Sequence, residues 1–152
     1  MLRDQINDGL KEAMKSKDAR RVSTLRLVNS ALKNADIEAR GAGKAPLGDE
    51  ALLGLLQKMI KQRQESVELY DKGGRADLAA QEREEIAIIQ GFLPQQMSED
   101  EMQAAVAAAI AEAGAASMKD MGRVMALLRE RHAGRMDFGK VSGLLKARLS
   151  GA

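Results

Sequence analysis

Apolar residues recur three or four positions apart along nearly the whole chain, from Leu2 to Leu149, and only a helix turns that spacing into one continuous face. The first such face is Leu2, Ile6, Leu10, Ala13 and Met14, interrupted over Ser16 to Asp18, where Asp18 is placed to cap the next helix. Val22, Leu25, Val28, Leu32 and Ala35 carry the pattern to about Ala39, and GAGKAPLGD then breaks it. A third helix from Glu50 presents Leu52, Leu55, Leu56, Met59, Ile60, Val67 and Tyr70 and stops at DKGG, where glycine can take the left-handed cap position. A fourth, Arg75 to Gly91, turns Leu78, Ile86 and Ile89 inward and leaves Gln81 to Glu85 in solvent. Composition agrees, since aromatic residues make up only 2% of the chain and the strong helix formers Leu, Ala, Met, Glu, Lys and Arg dominate. An all-α protein is expected.

The clearest boundary is GFLPQQMSEDEM. Pro94 cannot continue a helix and biases Leu93 toward extended backbone, while Ser98 with Glu101 three positions later forms a capping box that opens a new helix. We therefore expect an amino-terminal unit of four helices over residues 1–93 and a compact three-helix unit over 94–152. The latter comprises Glu99 to Ala113, Met118 to His132 and Phe138 to Leu149, punctuated by Gly114 and Gly134, with Asp137 as the cap of the last helix.

Several chemistries are excluded by what the chain lacks. Without cysteine there is no disulfide, thiol nucleophile or thiolate metal site, and the lone His132 cannot build a histidine cluster, so no metal is expected. His132 reads as a helix-end residue that meets carbonyl groups. The longest uncharged apolar run, Met102 to Ala111, falls well short of the roughly 20 residues that span a bilayer, and MLRDQINDGLKEAMKS carries acids and no apolar core. A soluble, cytoplasmic protein without membrane contact is expected.

The stretch GRMDFGKVS, Gly134 to Ser142, lies one residue from the phosphate-cradling pattern G-x-x-x-x-G-K-[ST]: Gly134, Gly139 and Lys140 are in register, and Val141 stands where the hydroxyl belongs. Such loops need a strand before the turn, whereas KDMGRVMALLRERHA is an amphipathic helix, and Asp137 would put a carboxylate among the phosphates. No nucleotide cofactor is expected, and no cofactor of another kind. Charge supplies a different lead. Residues 1–75 hold 15 basic against 11 acidic side chains, 76–118 hold 1 against 8, and 119–152 hold 8 against 3, so the net +2 conceals two basic ends and an acidic middle.

The string Met121-Gly122-x-Val124-Met125, then Gly134-Arg135-x-Asp137, then Val141 and a leucine-rich helix ending at Leu149, with FLPQQMSEDE upstream, resembles the YqeY-like family over nearly the whole chain. The carboxy-terminal part is also similar to the GatB tail domain of the glutamine-dependent aspartyl/glutamyl-tRNA amidotransferase, although the spacing from Met125 to Gly134 matches the free-standing family. That resemblance implies a helical unit that touches the tRNA elbow. It implies no catalysis, because the amide chemistry and the kinase-like part belong to portions absent here, and any label of carbon–nitrogen ligase with glutamine as amido donor would be inherited from the larger assembly. The expected function is a non-catalytic tRNA-binding accessory protein working beside tRNA-modifying or aminoacylation machinery; the alternative is a protein-interaction module that binds no RNA. Candidate RNA-contacting residues are Lys119, Gly122, Arg123, Arg131, Gly134, Arg135 and Lys140, within a basic end that also holds Arg129, Lys146 and Arg148. Gly122 inside a helix costs about 1 kcal/mol relative to alanine, which close helix packing or close approach of an RNA backbone would each explain. With Phe138 as the one aromatic nearby, contact would be to phosphate and shape rather than to unstacked bases.

Overall fold

The computed structural model describes residues 1–151. Among them are seven α-helices and one short 3-10 turn, with no strand, so the chain is all-α. The helices are α1 (Leu2–Ser16), α2 (Ala19–Gly41), α3 (Asp49–Lys72), α4 (Ala76–Gln90), α5 (Glu99–Ala113), α6 (Met121–His132) and α7 (Phe138–Leu149), and the 3-10 turn Met118–Asp120 precedes α6. Two compact units divide the chain, Met1–Pro94 and Gln95–Ala152.

In the first unit α1 and α2 form an antiparallel hairpin. Asp18 caps α2 by accepting from the Arg21 amide at 3.2 Å, and the chain reverses at Lys17, whose φ of 58° is the left-handed conformation that side chains resist. Leu2 and Ile6 from α1 meet Leu25, Val28 and Leu32 from α2, Leu52, Leu56, Met59 and Ile60 from α3, and Ile89 from α4 in one core. Met14, read as part of the first apolar face, is 46% exposed, whereas Gly9 is buried, with the Phe92 ring 3.1 Å from where a Cβ would stand. The glycine-rich loop after α2 is tied down by charge. Arg3 forks onto Asp36 at 2.7 and 2.8 Å and donates to the Leu47 carbonyl, while the Leu47 amide donates to Asp36 at 3.1 Å. The Arg3 guanidinium, with help from that amide, holds the Asp36 carboxyl below its ordinary range.

The α3–α4 pairing corrects one expectation. Gln81 to Glu85 are not uniformly solvated: Glu85 is buried, and it accepts from Arg63 Nε at 3.1 Å while Arg63 Nη1 donates to the Met59 carbonyl at 3.2 Å. Glu84 points the other way and meets Arg20 of α2, as expected for sequence neighbours on a helix. Glu82, one turn before Glu85, shares its surroundings; burial first, then the negative charge of Glu85 and a hydrogen bond to it, push the Glu82 carboxyl above the ordinary range. A raised native value gives a contribution that is complete below the unfolded glutamate range and disappears as pH climbs through the native value. Glu82→Gln should therefore leave stability unchanged in acid and raise it relative to wild type as pH passes upward through that window. Chemical unfolding at a series of pH values checks this, and parallel curves for the two proteins would refute it.

The second unit packs Met102, Val106 and Ala109 of α5, Val124, Met125 and Leu128 of α6, Met136 from the α6–α7 loop, and Val141, Leu145 and Leu149 of α7. Capping sets its helix starts. Ser98 and Glu101 exchange the two bonds of a capping box at 3.2 and 3.0 Å, and Gly114 ends α5 with φ 63°. The expected helix from Met118 breaks into two, because Asp120 turns back to the amides of Ala116 and Ser117 and holds the first three residues in a tighter 3-10 turn.

Candidate nucleic-acid interface

The α6–α7 junction, which carried the near-match to a phosphate loop, is a structural joint. Gly134 is buried with φ 76°, a value that glycine adopts without strain, and the segment before Ser98 is fastened to it. Gln96 Nε2 donates to the Gly134 carbonyl at 2.6 Å, the Met97 amide donates to the Arg135 carbonyl at 2.9 Å, and Arg135 Nε donates to the Gln95 carbonyl at 3.0 Å. Asp137 accepts from the amides of Gly139 and Lys140 at 3.0 and 3.2 Å, the same donors a phosphate would require, and Val141 is fully buried. So the Gly-Arg-x-Asp string and the upstream Gln-Gln-Met segment answer to each other through one backbone hydrogen bond and two from side chains to carbonyls.

The candidate RNA-contacting residues fall into distinct settings. Gly134 and Arg135 serve the joint just described. Arg123 bonds Asp120 at 3.2 Å, Arg131 grips Glu112 with both terminal nitrogens, and Lys140 lies 3.4 Å from Glu99. These pairs are largely exposed, and salt screens exposed pairs, so they hold the cations in place weakly. Lys119 has no carboxylate partner among the described residues, and Gly122 is exposed. Lys119 lies in the 3-10 turn and Gly122 and Arg123 at the start of α6, while Arg131, Gly134, Arg135 and Lys140 lie toward its end or beyond, about 14 Å along the axis from Gly122 to Arg131. The structure thus does not gather all seven into one point of contact.

What it does reveal in this unit is a pair of bare positions, as Gly54 of α3 is in the other. A Cβ on Gly122 would meet nothing within 4 Å, which removes close packing within the chain as the reason for that glycine. Gly143, in the middle of α7, is equally open. Arg129 stacks its guanidinium over the Phe138 ring at 5.8 Å, Lys146 stands exposed on the last turn of α7 without a carboxylate partner among the described residues, and Arg148 donates to Gln103. Gly143 drew no notice from spacing, although a glycine inside α7 was itself a signal, and Arg129 stood only in the wider basic end. His132 differs from expectation: its Nδ1 is buried with no hydrogen-bond partner among the described residues, and burial, then the charges of Arg135 and Arg131, lower the imidazole below its usual range, which favours its neutral form. Among the methionines, Met125 and Met136 are core while Met118 is exposed. Among the described residues no group of three or more His, Asp or Glu stands ready for a metal, and no helix is long and apolar enough to cross a membrane.

A family model described as Yqey-like protein matches residues 3–149. The chain belongs to the YqeY-like family. Curated relatives of this YqeY-like chain include proteins from Lachancea thermotolerans, 40% identical over 90 residues, and Vanderwaltozyma polyspora, 35% identical over 88 residues. These alignments cover 59% and 58% of the chain and 46% of each relative, so the chain spans a little under half the length of these curated relatives. A protein of Pyrenophora tritici-repentis is 29% identical over 132 residues, 84% of this chain and 71% of the relative. All three bear the name "Altered inheritance of mitochondria protein 41, mitochondrial". That designation overturns the cytoplasmic expectation. The lack of an apolar span, on which the expectation rested, speaks to membranes and secretion and does not distinguish one internal compartment from another.

Proposed function

We propose that this YqeY-like chain is a non-catalytic accessory protein that binds structured RNA, with tRNA as the class the amidotransferase-tail resemblance implies, and that α6 and α7 provide the contact. The observation that carries the reading is the pair of exposed helical glycines, Gly122 and Gly143, on the same two helices as Arg129 and Lys146, cations that no carboxylate holds among the described residues. Glycine inside a helix lowers stability by roughly 0.5–1 kcal/mol relative to alanine, and at these two places no intrachain contact offsets the loss. An incoming phosphodiester backbone would use the missing side chain, as it approaches most closely where the helix surface is bare. The resulting contact is to phosphate and shape.

Gly143→Ala should raise the stability of residues 95–152 by roughly 0.5–1 kcal/mol, and Gly143→Glu should keep the fold while weakening tRNA binding at least tenfold. Lys146→Glu should reduce affinity and flatten the salt dependence, which for a phosphate contact falls with a slope of about −0.7 to −0.9 per neutralised phosphate. A tRNA titration at several salt concentrations reads both effects. Binding that is absent, insensitive to salt, or unchanged in Gly143→Glu removes the proposal. The alternative, a protein-interaction module, is favoured by one feature, a groove of about 400 Å³ walled by Ala104, Ala105, Ala108 and Ala109 of α5 with Leu128 and Met97. Retention of a partner from nuclease-treated extract, together with no affinity for tRNA, would decide for it.

A further inference from the structure

We propose that the cleft between α1 and α2 is a phosphate-binding site, independent of the α6–α7 surface. Arg3 and Asn7 stand one turn apart on α1, Asn29 and Lys33 one turn apart on α2, and the antiparallel hairpin brings the two rows face to face. These four side chains line a cavity of about 230 Å³ whose floor is Leu32. A seam between two amphipathic helices is ordinarily closed by apolar side chains; here two amides and two cations border an open space.

The balance of donors and acceptors selects the ligand. Asp36, the carboxylate engaged by Arg3, already accepts from both terminal nitrogens of Arg3 and from the Leu47 amide. That arrangement leaves Arg3 Nε as a donor, and Lys33 has no carboxylate partner among the described residues. Asn29 Nδ2 reaches Asn7 Oδ1 only at 3.4 Å, so both amides keep donor capacity toward the cavity. A cation would meet the uncompensated charge of Lys33. A planar carboxylate offers two acceptor atoms, whereas a phosphate offers three or more and accepts from both helices at once. The cavity has room for one phosphate group and a small substituent. A free phosphate monoester and a phosphodiester of an RNA chain present this same chemistry.

The test uses the full chain, isotopically labelled, with inorganic phosphate titrated against chloride at constant ionic strength. Amide resonances of residues 3–7 and 29–33 should shift in a saturable manner. Lys33→Gln should weaken binding at least tenfold, and Asn29→Leu, which leaves the charge unchanged, should weaken it as well. Lys58→Gln, the same loss of charge on an exposed face of α3, should leave it intact. A phosphate response no different from chloride, or equal losses in Lys33→Gln and Lys58→Gln, overturns the site. A second arm replaces phosphate with a nucleoside monophosphate and with a short RNA: tighter binding of the RNA assigns the diester as the source, and tighter binding of the monoester assigns a small phosphate ester. Because Gly143→Glu lies in the other unit, its effect on tRNA is read separately, and either proposal can fail while the other stands.

Discussion

Arg63→Ala should destabilise residues 1–94 by about 3 kcal/mol, the low end of the cost of removing one partner from a buried ion pair. Arg63 and Glu85 side chains are only 14% and 8% exposed, so deletion of the guanidinium strands a buried carboxylate beside Glu82, which already holds its proton more tightly than usual. The Met59 carbonyl loses a donor at the same time. The loss should be steepest above the glutamate range, where Glu82 is ionised too, and should shrink in acid. Arg63→Met combined with Glu85→Leu should recover much of the deficit, because replacing both members with apolar groups of similar volume is often neutral. Amide exchange along α3 and α4 measures each quantity, and a single-variant loss below about 1 kcal/mol would show that solvent reaches the pair and screens it.

Leu145→Ala is expected to have an effect at least as large in the second unit. Leu145 is fully buried in the cluster that joins α5, α6 and α7. Truncation of a buried leucine costs about 2–5 kcal/mol, depending on how far the cavity collapses. With Met136 and Val141 also fully buried around the same core, little slack is available, which places the expectation near ~4 kcal/mol. A unit of roughly 60 residues buries a smaller share of its surface than a larger domain does and has little stability in reserve. Backbone amides of α5, α6 and α7 should therefore exchange at rates close to those of an unfolded chain. Val124→Ala, a smaller deletion in the same cluster, should cost less; if the two variants are indistinguishable, the core around Leu145 has more room to collapse than its full burial implies.

The helices and their ends were legible because the signals are local. Asp18, Ser98 and Asp137 each cap the helix that its sequence position suggested, and α5 and α7 begin and end where the apolar spacing and flanking glycines place them. The 3-10 turn before α6 had a local signal as well, Ser117 followed three positions later by Asp120, the spacing of a capping box. Partnerships between distant residues were not legible. Arg63 and Glu85 are 22 positions apart, and only the register of α3 on α4 buries them together. Likewise, Arg131 with Glu112 and Lys140 with Glu99 depend on how α6 and α7 cross α5, so a list of basic residues could not say which were engaged. The Gly134-Arg135 string was recognisable as a motif, yet its bonds to Gln95, Gln96 and Met97 show that part of a motif can be kept for the architecture of a joint.

The left-handed backbone at Lys17 bears on how this hairpin can vary among relatives. A residue with a side chain is held there against its conformational preference, so the reversal between α1 and α2 is tighter than its own chemistry favours, and a change to glycine would relax it by something on the order of 1 kcal/mol. Glycine at that position in another member of the family would then record a tuning of thermal tolerance, with no bearing on what the protein recognises.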